Sequence, residues 1–337
     1  MRDDIDHAGA PGRNNMRLFD AAATRAALPF ERLIPALRDM FRHGCEVPRR
    51  EVHEIAAPGG GALVSLIMPA WLPGRCYGVK TVNIAPGNAA RGLPGLHATY
   101  LLYDATSGVP LAQIDGNEIT ARRTAAASAL AASWLARSDA RRLLVVGAGR
   151  VARLLPEAFR AVLPIEHVGV WARDAAKAAA LAAEWRAQGI DASAAPDREA
   201  AVSRADIVSC ATLTGTPLIH GRWLAPGSHL DLIGSFTPQM READDDCFTD
   251  ASLYIDTDEA LHKSGDLLGP LSRGVFTKDD VRGTLAGLCR GEVRGRSTGA
   301  ERTVFKSVGS ALEDLAAAML VDESAPLVTG ACRRAGT

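Results

Sequence analysis

The sequence has no apolar run approaching the ~20 residues that a membrane-spanning helix needs. Its first fifteen residues are polar and carry no apolar stretch of the kind a secretory leader requires. An excess of one charge is also missing, because 38 lysines and arginines face 39 acidic residues for a net charge of −1. That balance gives no basic footprint for nucleic acid and no polybasic surface for a membrane. Cysteines are few and scattered: Cys45, Cys76, Cys210, Cys247, Cys289 and Cys332 form no C-x-x-C pair. Neither a disulfide framework nor a metal site is expected, and reduced thiols in a cytoplasmic protein are. What is present is the composition of an ordinary globular protein, 47% hydrophobic over 337 residues, long enough for two domains with separate cores.

The texture changes along the chain. Residues 17–42 carry a helical pattern with Leu33, Ile34, Leu37, Met40 and Phe41 on one stripe. Short β-like runs follow at 51–55, 62–69, 78–84, 97–104 and 109–114, separated by Gly/Pro turns, and Asp104–Gly108 has the composition of a hairpin loop. Asp115-Gly116-Asn117 reads as a turn, after which Thr120 is expected to cap an alanine-rich helix over 121–136. Beyond it strand and helix alternate, with strands expected near 142–146, 167–171, 206–211, 229–234 and 252–256 and a last helix over 307–319. Alternation of this kind predicts an α/β protein with a Rossmann-type, doubly wound parallel sheet.

The stretch Arg142-Leu-Leu-Val-Val-Gly147-Ala-Gly149-Arg150-Val151-Ala152 is a buried strand, a glycine turn and the opening of a helix. Gly147 permits the tight turn, Gly149 lets backbone approach a pyrophosphate at the helix N-terminus, and Ala152 is small enough for the helix to pack on the strand. NAD-binding versions place an acid about 20 residues further on, for the ribose hydroxyls. Here that position is Ala172, followed by Arg173. A missing carboxylate and an adjacent guanidinium favour a 2′-phosphate, hence NADP(H) in preference to NAD(H). The competing readings are a solvated Arg173 and, for Asp174, a helix N-cap.

Basic residues before the glycine turn stand out. In Gly78-Val-Lys80-Thr-Val-Asn-Ile84 a strand would put Lys80 on the face of Val82 and Ile84, where it must snorkel, pair with an anion or lose basicity. Arg122 and Arg123 would lie in the first turn of the helix capped by Thr120, beside free N–H groups that favour an anion. Extension of both arginines into solvent is the plain alternative.

Asp115-Gly-Asn-Glu-Ile-Thr-Ala-Arg-Arg-Thr-Ala-Ala-Ala-Ser-Ala129 resembles the ornithine cyclodeaminase/mu-crystallin family, as do Pro48-Arg-Arg50, Gly78-Val-Lys80, Gly92-Leu-Pro94, Tyr254-Ile-Asp256, Ser264-Gly-Asp266 and Thr303-Val-Phe-Lys-Ser-Val-Gly309, in the same order. The resemblance implies a second, α+β domain for substrate binding and dimerisation, from 17–122 with 305–330, around a dinucleotide domain over 123–304; residues 1–16 are expected to be disordered, with Met16 an alternative start. It implies that Arg50 and Arg123 bind a substrate carboxylate and that Lys80 is the catalytic lysine. Arg123, Thr124, Gly147, Gly149, Arg150, Val151, Ala172, Arg173, Thr212 and Ser307 are expected on the cofactor side. True ornithine cyclodeaminases carry a catalytic Asp in G-G-D-x-P, but this chain has Gly234-Ser-Phe-Thr-Pro238, with Phe236 at that position. Phenylalanine neither accepts a proton nor orients water, and Glu242 is spaced differently. The departure points to the ketimine-reducing, mu-crystallin-like branch.

The expected activity is therefore an NAD(P)H-dependent oxidoreductase on a C=N or CH–NH bond alpha to a carboxylate, acting on a small imine or amino acid as a homodimer. Ornithine cyclodeamination with recycled NAD is one alternative, and an NADPH-dependent binding protein for a small ligand is another.

Overall fold

The computed structural model describes residues 16–56 and 62–324. The expected disorder before Met16, the alternative start and the end of the segment 305–330 fall outside them.

The chain opens with β1 (Arg17–Phe19), α1 (Ala21–Ala27) and α2 (Phe30–His43), so the first residues of the expected helical region form a short strand instead. Four antiparallel partners follow a long excursion: β2 (Glu51–Ala56), β3 (Ala62–Leu72), β4 (Cys76–Ile84) and β5 (Leu96–Asp104). β6 (Pro110–Asp115) completes a six-stranded sheet of order β1-β6-β5-β4-β3-β2, in which β1 lies parallel to β6. Strand alternation decides what each face does. Cys76, Gly78, Lys80 and Val82 of β4 are buried, whereas Tyr77, Val79 and Thr81 between them are half-exposed. The buried face packs on two later helices, Gly116–Leu135 and Ala311–Glu323, and α2 lays its apolar stripe on those helices.

α3 (Gly116–Leu135) is the spine of the molecule, touching β4, β5 and β6 of the first sheet and two strands of the second. It is buried on nearly every side, and its alanines let the neighbouring elements close around it. It begins earlier than the sequence suggested. Asp115 caps it, accepting from Glu118 N at 2.8 Å, and Gly116 is required because a Cβ there would stand 2.7 Å from the backbone of Ala98. Asp-Gly-Asn read as a turn is in fact a cap: an Asx side chain that closes on the backbone serves either purpose. Thr120 lies inside the helix with its hydroxyl donating to Gly116 O at 2.7 Å, and Arg123 sits two turns in rather than at the N-terminus.

The second half is an eight-stranded, wholly parallel sheet. Its elements are β7 (Arg142–Val146), α4 (Arg150–Arg160), β8 (His167–Trp171), α5 (Ala175–Ala187), β9 (Asp191–Ala194), α6 (Arg198–Arg204), β10 (Ile207–Cys210), β11 (His229–Leu232), β12 (Ala251–Ile255), α7 (Ala260–Lys263), α8 (Gly265–Ser272), β13 (Val281–Thr284), α9 (Leu285–Arg290) and β14 (Arg302–Lys306). The order β13-β12-β14-β11-β10-β7-β8-β9 reverses direction between β7 and β10, the switch point at which open α/β sheets bind ligands. The final helix, α10 (Ala311–Glu323), packs back on α2, α3, β3 and β4. It starts at Ala311, not Ser307, because Ser310 and Glu313 close a capping box around its first turn.

The thiols of Cys45, Cys210, Cys247 and Cys289 are free, whereas Cys76 is disulfide-bonded, against the expectation of reduced cysteines. Among the described residues no helix is long and apolar enough to cross a membrane.

Candidate active site

The glycine turn lies at the carboxyl end of β7, beside the switch point. Gly147 has φ +119°, and a Cβ on it would stand 2.6 Å from Ala211 O, so both conformation and space demand glycine. Gly149 is the N-cap of α4 and offers no side chain to the first N–H groups of that helix. Nothing lies within 4 Å of where its Cβ would be. An open helix start behind a tight turn suits a pyrophosphate, so the residues present fit a dinucleotide. Arg150 is exposed, Val151 is half-buried on the core and Ala152 is fully buried, which places helix against strand as the spacing predicts. At the end of β8, Ala172 is half-buried and Arg173 is exposed. Asp174 accepts from Ala176 N at 3.0 Å and Lys177 N at 3.3 Å, so it caps α5.

Thr212, just past β10, donates both its N–H and its hydroxyl to Glu242 Oε1, each at 2.7 Å. Glu242 Oε2 accepts from Gly234 N at 2.9 Å and Ser235 N at 3.1 Å. The carboxylate therefore staples the loop after β10 to the loop after β11, which carries half-buried Phe236. Behind it Lys306 Nζ donates to Ser235 Oγ at 2.8 Å and to Asp266 Oδ2 at 3.1 Å, all three side chains fully buried. Burial pushes the Glu242 carboxyl up to about 7, with Lys306 pulling against it. Both of its oxygens are committed to N–H groups of the two loops, so it organises this edge of the sheet.

The basic residues singled out by sequence come together above this edge. Lys80 points into the packed face of the first sheet, only 1% exposed, and its Nζ lies 2.7 Å from Asp314 Oδ2. The contact is a buried, charge-assisted ion pair. Arg123 reaches the same carboxylate from α3, donating from Nε to Asp314 Oδ1 at 3.1 Å and from Nη1 to Glu313 Oε2 at 2.8 Å. Burial pulls Lys80 down to about 8, with Asp314 opposing and Arg123 reinforcing the fall. Burial also pushes Glu313 up to about 7, partly offset by Arg123. For Arg123 itself burial disfavours the charge, but Glu313 and Asp314 outweigh it and its pKa lies above the ordinary value.

Arg50 approaches from the other side. Its Nη2 donates to Glu259 Oε2 and to Gly309 O, both at 3.1 Å. Gly309, φ +76°, is pressed between the two arginines: a Cβ on it would stand 2.4 Å from Arg123 Nη1. The loop that carries it is pinned by Asp256, whose Oδ2 accepts from Ser307 Oγ at 2.9 Å, Val308 N at 2.8 Å and Gly309 N at 2.7 Å. Lys80, Arg123, Arg50 and Ser307 are thus linked through one chain of contacts that joins elements of both sheets. Thr124 turns its hydroxyl back along α3 to Thr120 O at 2.7 Å. Arg122 leaves the cluster altogether, donating from Nε to Leu28 O at 2.7 Å with its guanidinium over Phe30.

Sequence reasoning missed the acidic half of this cluster: Glu313, Asp314, Asp256 and Glu259. Asp256 lay within a motif singled out above, and Glu313 follows Ser310 at capping-box spacing, which explains it locally and hides its second partner. Tyr100, directly opposite Lys80 on β5, was also missed; its hydroxyl is buried without a partner.

Comparison with known proteins agrees with this architecture. A model of the ornithine cyclodeaminase/mu-crystallin family matches residues 40–327. The chain is 42% identical over 280 residues to the Delta(1)-pyrroline-2-carboxylate reductase of Paracoccus denitrificans, covering 82% of this chain and 88% of that protein. Its fold is similar to that of the Thermococcus litoralis Delta(1)-pyrroline-2-carboxylate reductase solved with NADH and L-proline, with a TM-score of 0.85 and 31% identity across 91% of this chain and 96% of that one. An archaeal alanine dehydrogenase dimer with bound NAD gives a TM-score of 0.83 at 30% identity, across 91% of this chain and 94% of that one.

Proposed function

The chain belongs to the ornithine cyclodeaminase/mu-crystallin family, and from that premise we propose that it is an imino-acid reductase. It reduces the C=N bond of a cyclic imine that bears a carboxylate on the imine carbon, at the expense of a nicotinamide dinucleotide. One observation carries this assignment: a buried ammonium, Lys80, is held beside a carboxylate where Arg50 and Arg123 converge on Gly309. When bound, the reduced nicotinamide supplies the hydride.

The chain's own residues bind, orient and protonate. Arg50 receives the substrate carboxylate, because its present partner Glu259 is 39% exposed and can swing into solvent. Arg123 adds its charge from behind Gly309, while its own carboxylate partners are fully buried and stay in place. Fixing the carboxylate fixes the imine carbon and nitrogen relative to Lys80. As carbon takes the hydride, Lys80 gives one proton to nitrogen; C=N becomes CH–NH and the amine of Lys80 is left neutral. Phe236 leaves no acid at the family position for activating water, so ornithine cyclisation is not favoured, and a purely binding role gives the buried lysine nothing to do.

The dinucleotide preference follows Ala172 and Arg173. With no carboxylate to repel a 2′-phosphate and a free guanidinium beside it, NADP(H) is the preferred cofactor and NAD(H) is accepted. Fluorescence titration with NADPH and NADH, followed by turnover of pyrroline- and piperideine-2-carboxylates, tests both parts. Oxidation of cofactor in proportion to imine consumed supports the reductase. Ammonia release from ornithine without net cofactor change would establish cyclodeamination instead, and NADH binding as tightly as NADPH would overturn the preference. Turnover needs the Lys80 ammonium, so kcat/KM should hold below and fall as pH rises through about 8. A profile flat across that range would remove Lys80 as the proton donor.

The uncovered face of the first sheet is assigned to a second copy of the chain. Trp71 and Tyr77 meet edge-on, and Tyr77 stacks on Tyr103 at 5.4 Å, which leaves a half-exposed apolar surface beside the exposed edge strand β2. Size-exclusion chromatography with light scattering should give twice the chain mass, and Tyr77→Glu should shift it toward the single chain; a parent protein of single mass excludes the dimer. A reaction drawing on a nicotinamide pool is assigned to the cytoplasm.

A further inference from the structure

Asp314 is the residue through which the two basic groups meet. Its Oδ2 lies 2.7 Å from Lys80 Nζ and its Oδ1 accepts from Arg123 Nε at 3.1 Å, with no side-chain exposure. Three separated parts of the chain supply the trio: β4 supplies Lys80, α3 supplies Arg123 and the first turns of α10 supply Asp314. The capping box of Ser310 and Glu313 fixes where α10 begins, and hence where Asp314 stands.

The surroundings of the trio are otherwise hostile to a lysine charge. Burial strips the ammonium of water, and the guanidinium of Arg123 repels it. Tyr100, opposite Lys80 on β5, offers an unpartnered hydroxyl and no charge, and Cys45, after α2, lies near Tyr100 as a half-buried thiol. Glu313 supports Lys80 too, but it comes last among the influences on the lysine and its own hydrogen bonds go to Arg123 Nη1 and Ser310 N. Asp256, from the loop after β12, acts on Glu313 and Arg123. Asp314 is therefore the anion that meets the ammonium directly.

Resting on the reductase assignment above, we propose that Asp314 is a positioning residue of this enzyme, holding the Lys80 ammonium at a fixed offset from the carboxylate-binding guanidinium of Arg123. It need not touch substrate. Of the three ammonium hydrogens one meets Asp314, which leaves others to be aimed at an imine nitrogen, while the bond to Arg123 ties that nitrogen to the place where the carboxylate is held. Removing the charge while keeping the shape should let the lysine lose its proton at lower pH, so the enzyme enters the cycle without a proton to give.

The test measures kcat and KM for pyrroline-2-carboxylate against pH in the full-length parent, Asp314→Asn and Asp314→Glu, with cofactor affinity measured in parallel. Asp314→Asn should lower kcat by about 10²-fold near neutrality, as expected of a misplaced catalytic group, and move the alkaline limb of the profile to lower pH, with cofactor affinity unchanged. Asp314→Glu keeps the charge but displaces it. Its alkaline limb should stay near the parental position while kcat falls by about tenfold or more. Parental kcat and an unmoved limb in Asp314→Asn overturn the proposal. If that variant does not fold, parental kcat in Asp314→Glu overturns it equally. A parent that reduces no imino acid would refute the reductase assignment, a result distinct from an active parent indifferent to Asp314.

Discussion

Lys80→Met is expected to lower turnover by about 10²–10⁴-fold, the usual contribution of a positioned proton donor, while cofactor binding stays close to parental. Methionine fills nearly the same volume on the packed face of the first sheet but has no proton to give. The dinucleotide turn at Gly147 and Gly149 follows β7, a strand of the other sheet. The substitution also strands Asp314, a fully buried carboxylate, without its ammonium. Breaking a buried pair from one side costs about 3–5 kcal/mol, so a loss of activity could be blamed on a loosened fold. The double variant Lys80→Met/Asp314→Asn separates the two causes. It should recover much of the stability lost in the single variant and none of the turnover. Turnover close to parental in Lys80→Met would mean that another group protonates the imine, and recovery of turnover in the double variant would mean that the lysine serves the fold alone.

The outline of both sheets was legible because strand alternation and the strand–turn–helix pattern are local signals. The runs expected at 62–69, 78–84 and 97–104 sit inside β3, β4 and β5, and Gly147 does what its spacing implies. β9, β13 and β14 were not anticipated. The first two are four-residue strands, and β14 lay inside a motif attended to for its side chains. The start of α3 was misread for a physical reason: the Asx closure that makes a turn also makes a cap, and only the approach of Gly116 to Ala98 decides between them. That error moved Arg123 from an exposed helix end to a buried interior position, and so turned a free anion receptor into half of a salt-bridge cluster. Its partners were beyond the reach of local reasoning. Glu313 and Asp314 look like ordinary first-turn acids of a capped helix, favourable there through the helix dipole. Nothing in their neighbourhood along the chain says that α10 returns to bury them against β4 and α3.

The same pair makes the behaviour of Arg123→Met predictable in sign as well as size. With the guanidinium gone, Glu313 loses its charged hydrogen-bond partner, and Asp314 keeps only Lys80. The variant should be less stable than the parent by about 3–5 kcal/mol in mildly alkaline solution, and the deficit should shrink as the solution is acidified. In the parent, burial already raises the Glu313 carboxyl from 4.5 to about 7 despite Arg123. A carboxyl raised in the folded state contributes stability that is fully present below its unfolded value, near 4.5, and is lost as pH rises through its folded value. Deleting Arg123 raises that folded value further, so the variant continues to lose stability over a range of pH in which the parent no longer does. At low pH Glu313 is protonated in both proteins and the difference narrows. Thermal unfolding of parent and variant across the acid-to-alkaline range measures this directly. Arg123→Met/Glu313→Gln, which has no carboxylate left to strand at that position, should lose most of the pH dependence. A deficit of constant size at every pH would mean that Arg123 stabilises the junction of α3 and α10 by packing, and that its charge is held there for the substrate alone.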